Sequence, residues 1–233
     1  MKKIGFIGGY EKTDFILYLS KILVELGNTV LFIDGSINQK SRYTIPAMKP
    51  GRVYITQYEG VDIAIGFENY DLIKQYLGIP LSSPINYDYI LIDVDSPNIA
   101  RNFEITKCDK NYFVTSFDLY SVKRGTMTLN ILQEPLNMTK IIFSKEASKK
   151  ENEYINFLTK ESKIVWNEQE TINMPFEAGD QTVIYENQQL EKIRIKKLTN
   201  QYKEGLMYIV VQLMGEEHYP EIRKIMKKIE RGV

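Results

Sequence analysis

The sequence predicts an α/β protein whose mostly parallel sheet carries helices on both faces, three layers in all. Two observations predict it. Continuous apolar runs at residues 29–33 and 89–94 lack the alternation of a half-exposed strand, as expected for strands covered on both sides. Such runs also alternate along the chain with segments whose apolar residues recur at helical spacing.

The elements follow in order. Residues 4–7 read as a short buried strand ended by Gly8 and Gly9. Residues 13–26 read as a helix, with Phe15, Ile16, Leu19, Ile22, Leu23 and Leu26 on one face, stopped by Gly27 and Asn28. The run at 29–33 completes a strand–helix–strand unit, so its strand should lie parallel to the first. Residues 37–50 are polar without a clear period and read as a loop. Residues 52–58 and 61–67 read as a hairpin turning at Glu59 and Gly60, and 71–77 as a short helix. Further strands are expected at 89–94, 112–115, 140–143 and 164–166. Helices are expected at 120–132, where Gly125 weakens the pattern, at 149–159, at 190–214 and at 220–231, the last begun by Pro220. With no repeat, low-complexity tract or linker, residues 1–233 read as one domain.

Composition narrows the function classes. Thirty basic residues balance thirty acidic ones, which argues against a strongly basic nucleic-acid binder. Cys108 is the sole cysteine and His218 the sole histidine, so an internal disulfide, a multi-cysteine or multi-histidine metal site and a Ser/His/Asp triad are all unsupported. No apolar run approaches the ~20 residues of a membrane span, and the amino terminus has no signal-peptide pattern. A cytoplasmic location is expected.

In an open α/β sheet, ligands bind beyond the carboxyl ends of the strands. The informative residues are therefore Gly8-Gly9-Tyr10-Glu11-Lys12-Thr13, Asp34, Asp93–Pro97 and Thr115–Asp118. Glycines let backbone amides approach an anion, a helix start favours negative charge, and a lysine there can reach a phosphate. A tight strand-to-helix turn with an exposed lysine is the plain alternative. Carboxylates at strand ends can likewise cap helices with no metal present. Tyr87, Tyr89 and Tyr112 read as packing residues rather than a stacking platform.

Taken together and in order, these pieces resemble the MinD/ParA class of P-loop ATPases. Phe6-Ile7-Gly8-Gly9-Tyr10-Glu11-Lys12-Thr13 stands where that family carries Gly-Lys-Gly-Gly-Val-Gly-Lys-Thr. Leu31-Phe32-Ile33-Asp34 is similar to the family's second strand, and Tyr89-Ile90-Leu91-Ile92-Asp93 to its Walker B strand. Asp95-Ser96-Pro97 is similar to the loop that follows. Met174-Pro175-Phe176-Glu177 is similar to a proline-containing segment beside the adenine. The resemblance spans roughly the first 180 residues. It implies a P-loop NTPase-like fold and binding of ATP and Mg²⁺. Gly8, Gly9, Tyr10, Glu11, Lys12, Thr13 and Pro175 would hold the nucleotide, Thr13 and Asp93 the metal, and Asp34 and Asp93 would be the hydrolytic carboxylates. It also implies a homodimer and protein partners of a positioning, partition, secretion or pilus system.

The departures are specific. Phe6 and Glu11 replace the two glycines of Gly-x4-Gly-Lys-[Ser/Thr], Ile7 replaces the family's signature lysine, and Ser36 replaces a second switch aspartate. A carboxylate ~5 Å from a phosphate charge costs roughly 3 kcal/mol at an effective dielectric of ~20, or about a hundredfold in affinity. The expected function is thus a positioning or assembly factor with a degenerate ATP loop, a weak switch or a pseudo-ATPase scaffold with weak or absent ATPase activity. An active nucleotide-dependent enzyme of the same group is the alternative.

The segment 220–231 is basic and amphipathic, with Ile222, Ile225, Met226 and Ile229 at i, i+3, i+4 and i+7. MinD-like proteins use such a helix for peripheral membrane contact. Packing against the domain or a partner is the plain alternative.

Overall fold

A computed structural model describes residues 1–47, 51–132, 134–144, 149–175 and 177–231. Among the described residues eight strands form one sheet: β1 (Lys2–Ile7), β2 (Val30–Gly35), β3 (Tyr54–Tyr58), β4 (Val61–Ile65), β5 (Tyr89–Val94), β6 (Lys110–Ser116), β7 (Leu136–Phe143) and β8 (Ile164–Met174). Their spatial order is β3-β4-β2-β5-β1-β6-β7-β8, and every pair is parallel except the β3–β4 hairpin at one edge. The expected mostly parallel sheet is therefore present. β1 lies between β5 and β6, where the connections leave to opposite sides, which is where an open sheet opens its ligand crevice.

The helices divide between the two faces. α1 (Thr13–Glu25), α7 (Ala178–Gln189), α8 (Asn200–Met214) and α9 (Tyr219–Arg231) contribute to the core on one face with Ile4, Phe6, Phe32 and Leu91. α3 (Tyr70–Leu77), α4 (Pro97–Asn102), α5 (Leu119–Ile131) and α6 (Lys149–Leu158) contribute to the core on the other with Ile7, Ile33, Ile92 and Phe113. Side chains alternate across a strand, so neighbours such as Phe6 and Ile7 serve opposite cores. Both are 0% exposed. Phe6 stacks on Tyr112 with ring centroids 5.4 Å apart, and Phe15 meets it edge-on at 6.0 Å.

Local chemistry explains several ends. Asn69 caps α3 by accepting from the Leu72 amide, and Gly78 at φ +67° closes it. Asp118 caps α5 by accepting from the Ser121 amide. Gly125 in mid-helix costs about 1 kcal/mol relative to alanine. It is there for space, because a Cβ would lie 2.6 Å from the Phe113 ring.

Four expectations are corrected. The loop at 37–50 contains a single helical turn, α2 (Ser41–Thr44), and its last three residues lie outside the described ones. The strand at 164–166 extends to Met174. The helix at 97–102 was not expected, although Ser96 followed by Pro97 is a sound start signal. Of the helix expected at 190–214 only 200–214 is helical, as α8; residues 190–199 leave helical geometry, and α7 before them was not expected. α7 ends before Glu191, which sits at φ +51°, and Ile193 and Ile195 are buried at alternating rather than helical spacing. Thr199 then caps α8 and also donates its hydroxyl to Asp180 of α7 at 3.0 Å. Phe176 lies outside the described residues.

The amphipathic face of α9 turns inward. Ile222 is 0% and Met226 6% exposed, both in the core with α1 and α8, and Ile229 packs on its margin. The face expected at a membrane is thus covered by the protein itself. Among the described residues no helix is long and apolar enough to cross a membrane.

Candidate phosphate-loop site

The site is built at the carboxyl end of β1. After Ile7 the Gly8 amide donates to Val94 O of β5 at 3.0 Å. Gly8 takes φ +157°, and a Cβ on it would lie 1.9 Å from Val114 O of β6. Only glycine can leave the sheet by that route. A Cβ on Gly9 would lie 2.7 Å from Cβ of Arg124 on α5. The loop is therefore pressed between two strands and a helix before it opens α1.

Lys12 curls back into this turn. Its Nζ donates to Gly8 O at 3.0 Å and stands 2.6 Å from Asp93 Oδ1, with both side chains 2% exposed. Asp93 lies beside Asp34 in the β2–β5 register and beside Phe6 in the β1–β5 register. Burial pushes the Asp93 carboxyl up to about 7, opposed by Lys12 and reinforced by Asp34. Asp34 is saturated differently. It accepts from the Ser36 amide at 3.1 Å, the Ser36 hydroxyl at 2.6 Å and the Ser41 amide of α2 at 3.0 Å.

Glu11 points back onto the helix it precedes. Its Oε1 accepts from the Thr13 amide at 2.8 Å, and its Oε2 lies 2.5 Å from Lys40 Nζ. Lys40 also pairs with Asp14 at 2.6 Å, and Gln188 of α7 donates to Asp14 at 2.9 Å. Burial costs the Glu11 charge hydration, but Lys40 and the Thr13 amide outweigh that and hold its carboxyl below the ordinary value. Burial likewise disfavours the Lys40 charge, and Asp14 and Glu11 more than offset it, so the ammonium is held above its ordinary value.

A cavity of about 360 Å³ opens over the loop, lined by Gly9, Lys12, Ser36, Lys40, Asp93 and Arg124 among others. A second, of about 270 Å³, adjoins it past Tyr10, Glu11 and Lys40 and is floored by Phe143, Ile184 and Tyr202. Tyr10 stacks on Phe143 with centroids 4.7 Å apart. A larger cavity of about 420 Å³, lined by Met1, Lys3 and Tyr70, adjoins the amino-terminal residues of β1 and has neither a glycine turn nor paired strand-end carboxylates.

The structure thus brings together Gly8, Gly9, Tyr10, Glu11, Lys12, Thr13, Asp34 and Asp93. Pro175 follows β8 and lines neither cavity, and Ile222, Ile225, Met226 and Ile229 are likewise absent from both. Thr13 is 1% exposed beneath the turn. Arg124 and Lys40 were not anticipated. Lys40 sits in a segment that reads as a loop and Arg124 in one that reads as a helix, and only the tertiary fold carries them to the turn.

Fold and site together define a class: a P-loop-type α/β sheet with a glycine turn, a lysine and a threonine opening the first helix, and aspartates ending two adjacent strands. Solved structures of the ParA and MinD ATPases share this fold. A ParA family ATPase from Chlorobium tepidum is 13% identical, with 91% of this chain and 98% of that one covered at a TM-score of 0.55. The MinC:MinD cell division complex of Aquifex aeolicus is 15% identical, covering 92% and 96% at 0.57. The Cyanothece McdA–ATP complex is 13% identical, covering 99% and 95% at 0.51. No protein-family model and no curated protein matches the sequence. At these identities the likeness establishes the fold.

Proposed function

We propose that this chain is a ParA/MinD-like positioning or assembly factor, a single α/β unit whose nucleotide site is retained in outline but closed by its own side chains. One observation carries the reading. The Glu11 carboxylate accepts from the Thr13 amide, the kind of helix-start donor a phosphate takes, while Lys12 is neutralised by Asp93. The cations a polyphosphate would need, Lys12, Lys40 and Arg124, line the cavity, although Glu11, Asp93, Asp95 and Asp118 line it too. Binding requires Glu11 to release the Thr13 amide.

Mg²⁺ fits less well alone, since Thr13 is buried, Asp93 is paired and Asp34 is hydrogen-bonded on both oxygens. A metal would enter with the phosphate it bridges. On this reading ATP is a weak ligand, turnover is low or absent, and the work is done by contact with protein partners or a second copy. The relatives of like fold include a MinD bound to MinC, which supports a protein partner. The covered face of α9 removes the support for membrane contact through Ile222 and Met226.

The test is calorimetric titration of Mg²⁺·ATP into the wild type, Lys12→Ala and Glu11→Gly. Weak binding is expected in the wild type, lost in the first variant and tightened about ten- to a hundredfold in the second. No heat from any of the three up to millimolar ATP would leave a scaffold that does not respond to nucleotide. Repair at position 7 is a poorer test, because Ile7 is 0% exposed and a lysine there would enter the core.

A further inference from the structure

We infer that Arg124 of α5 is the principal anion-capturing cation of the loop, a role no motif position assigns to it. The inference rests on the phosphate-site reading above. Three cations among the described residues line the loop cavity: Lys12, Lys40 and Arg124. Lys12 is held at 2.6 Å by Asp93, and Lys40 at 2.5 and 2.6 Å by Glu11 and Asp14. Among the described residues Arg124 alone of the three has no carboxylate within the 4.0 Å of an ion pair, although Asp95 and Asp118 line the same cavity. Its charge acts on Asp95 only at longer range, lowering that carboxyl against the rise that burial imposes.

The position is built rather than incidental. The Arg124 stem lies on the loop backbone, so that a Cβ on Gly9 would stand 2.7 Å from its Cβ and 2.8 Å from its Cγ. The second glycine of the turn is therefore explained by the arginine as much as by any ligand. Ser121, one turn earlier on α5, presents its carbonyl 3.1 Å from the same point, so helix and loop are in direct contact. Arg124 is half-buried, and a guanidinium there presents a planar fork matched to two phosphate oxygens. The position where the family carries its signature lysine is a buried isoleucine, so the loop's own strand supplies no such charge. The ligand class is the di- or triphosphate of a nucleotide, or a free polyphosphate of the same charge.

The experiment titrates Mg²⁺·ATP and inorganic triphosphate, separately, into the folded wild type, Arg124→Ala, Arg124→Lys and Lys12→Ala, with thermal unfolding of each as a control. Arg124→Ala should weaken both ligands ten- to a hundredfold, and Arg124→Lys should recover part of the loss, because charge returns without the fork. Equal loss for both ligands assigns the contact to phosphate. Loss for ATP alone would overturn it. Binding that Lys12→Ala abolishes and Arg124→Ala leaves intact overturns the arginine's role while the nucleotide reading stands. Failure of the wild type to bind either ligand overturns both.

Discussion

Lys12 and Asp93 set the electrostatics of the site, and their removal is unequal. Deleting the cation leaves a carboxylate with about 2% exposure and no partner, a loss of ~3–5 kcal/mol for a buried pair broken on one side. The sign with pH follows from burial. In the fold Asp93 is raised to about 7, against ~4 in the unfolded chain, so the native state holds the extra proton between those values. Its contribution to stability therefore falls as pH rises through that window and is level above it. Lys12→Ala removes the influence that lowers the carboxyl, so the fall extends to higher pH. Denaturation midpoints of wild type and variant should differ more at pH 8 than at pH 5, and an equal gap at both would refute the account. Of these residues, sequence could name Lys12, Asp93 and the glycines, because a strand, a glycine turn and a helix start fix their place. It could not show that Glu11 turns back onto Thr13 or that Lys40 meets it, since residues 11 and 40 are joined only by the fold.

At the scale of elements, α9 shows why an amphipathic pattern is ambiguous. The period of Ile222, Ile225, Met226 and Ile229 states that one face avoids water and leaves open what covers it. Here the cover is α1 and α8. Ile222→Ala should accordingly cost ~2–5 kcal/mol in a urea titration, whereas Arg223→Ala on the exposed side should change little. If Ile222 faced lipid or solvent instead, the two variants would unfold together. The non-helical stretch at 190–199 was hidden for a related reason. The hydrophobic count through 190–214 is high enough for a helix, and the alternation at Ile193 and Ile195 is too short to register against it. The central β-strands were legible because burial on both faces leaves apolar runs that few other elements produce, whereas the more exposed β8 showed only its start.

For the molecule as a whole, one sheet is clothed on both sides and its two cores meet only through the strands. Stability should therefore be graded from the centre outwards. Amides of β1, β2, β5 and β6, each flanked by two strands, should exchange slowest with deuterium, and those of the edge strands β3 and β8 fastest among the strands. Slowest exchange in β3 or β8 would contradict the strand order. This order explains why the sequence disclosed the architecture better than the chemistry. Parallel pairing imposes its pattern on every strand, whereas the site depends on a handful of side chains brought together from the turn after β1, the ends of β2 and β5, the residue before α2, and α5.

The central place of β1 also bears on how the chain is made. Both of its neighbours, β5 and β6, are translated roughly 80 or more residues after it. At ~5–20 residues per second a ribosome needs several seconds to deliver them. Throughout that interval the nascent chain carries both unpaired backbone edges of β1 and the inner face of α1 with neither neighbour strand available. The segment that waits longest for both of its neighbours is thus the one that ends in the glycine turn.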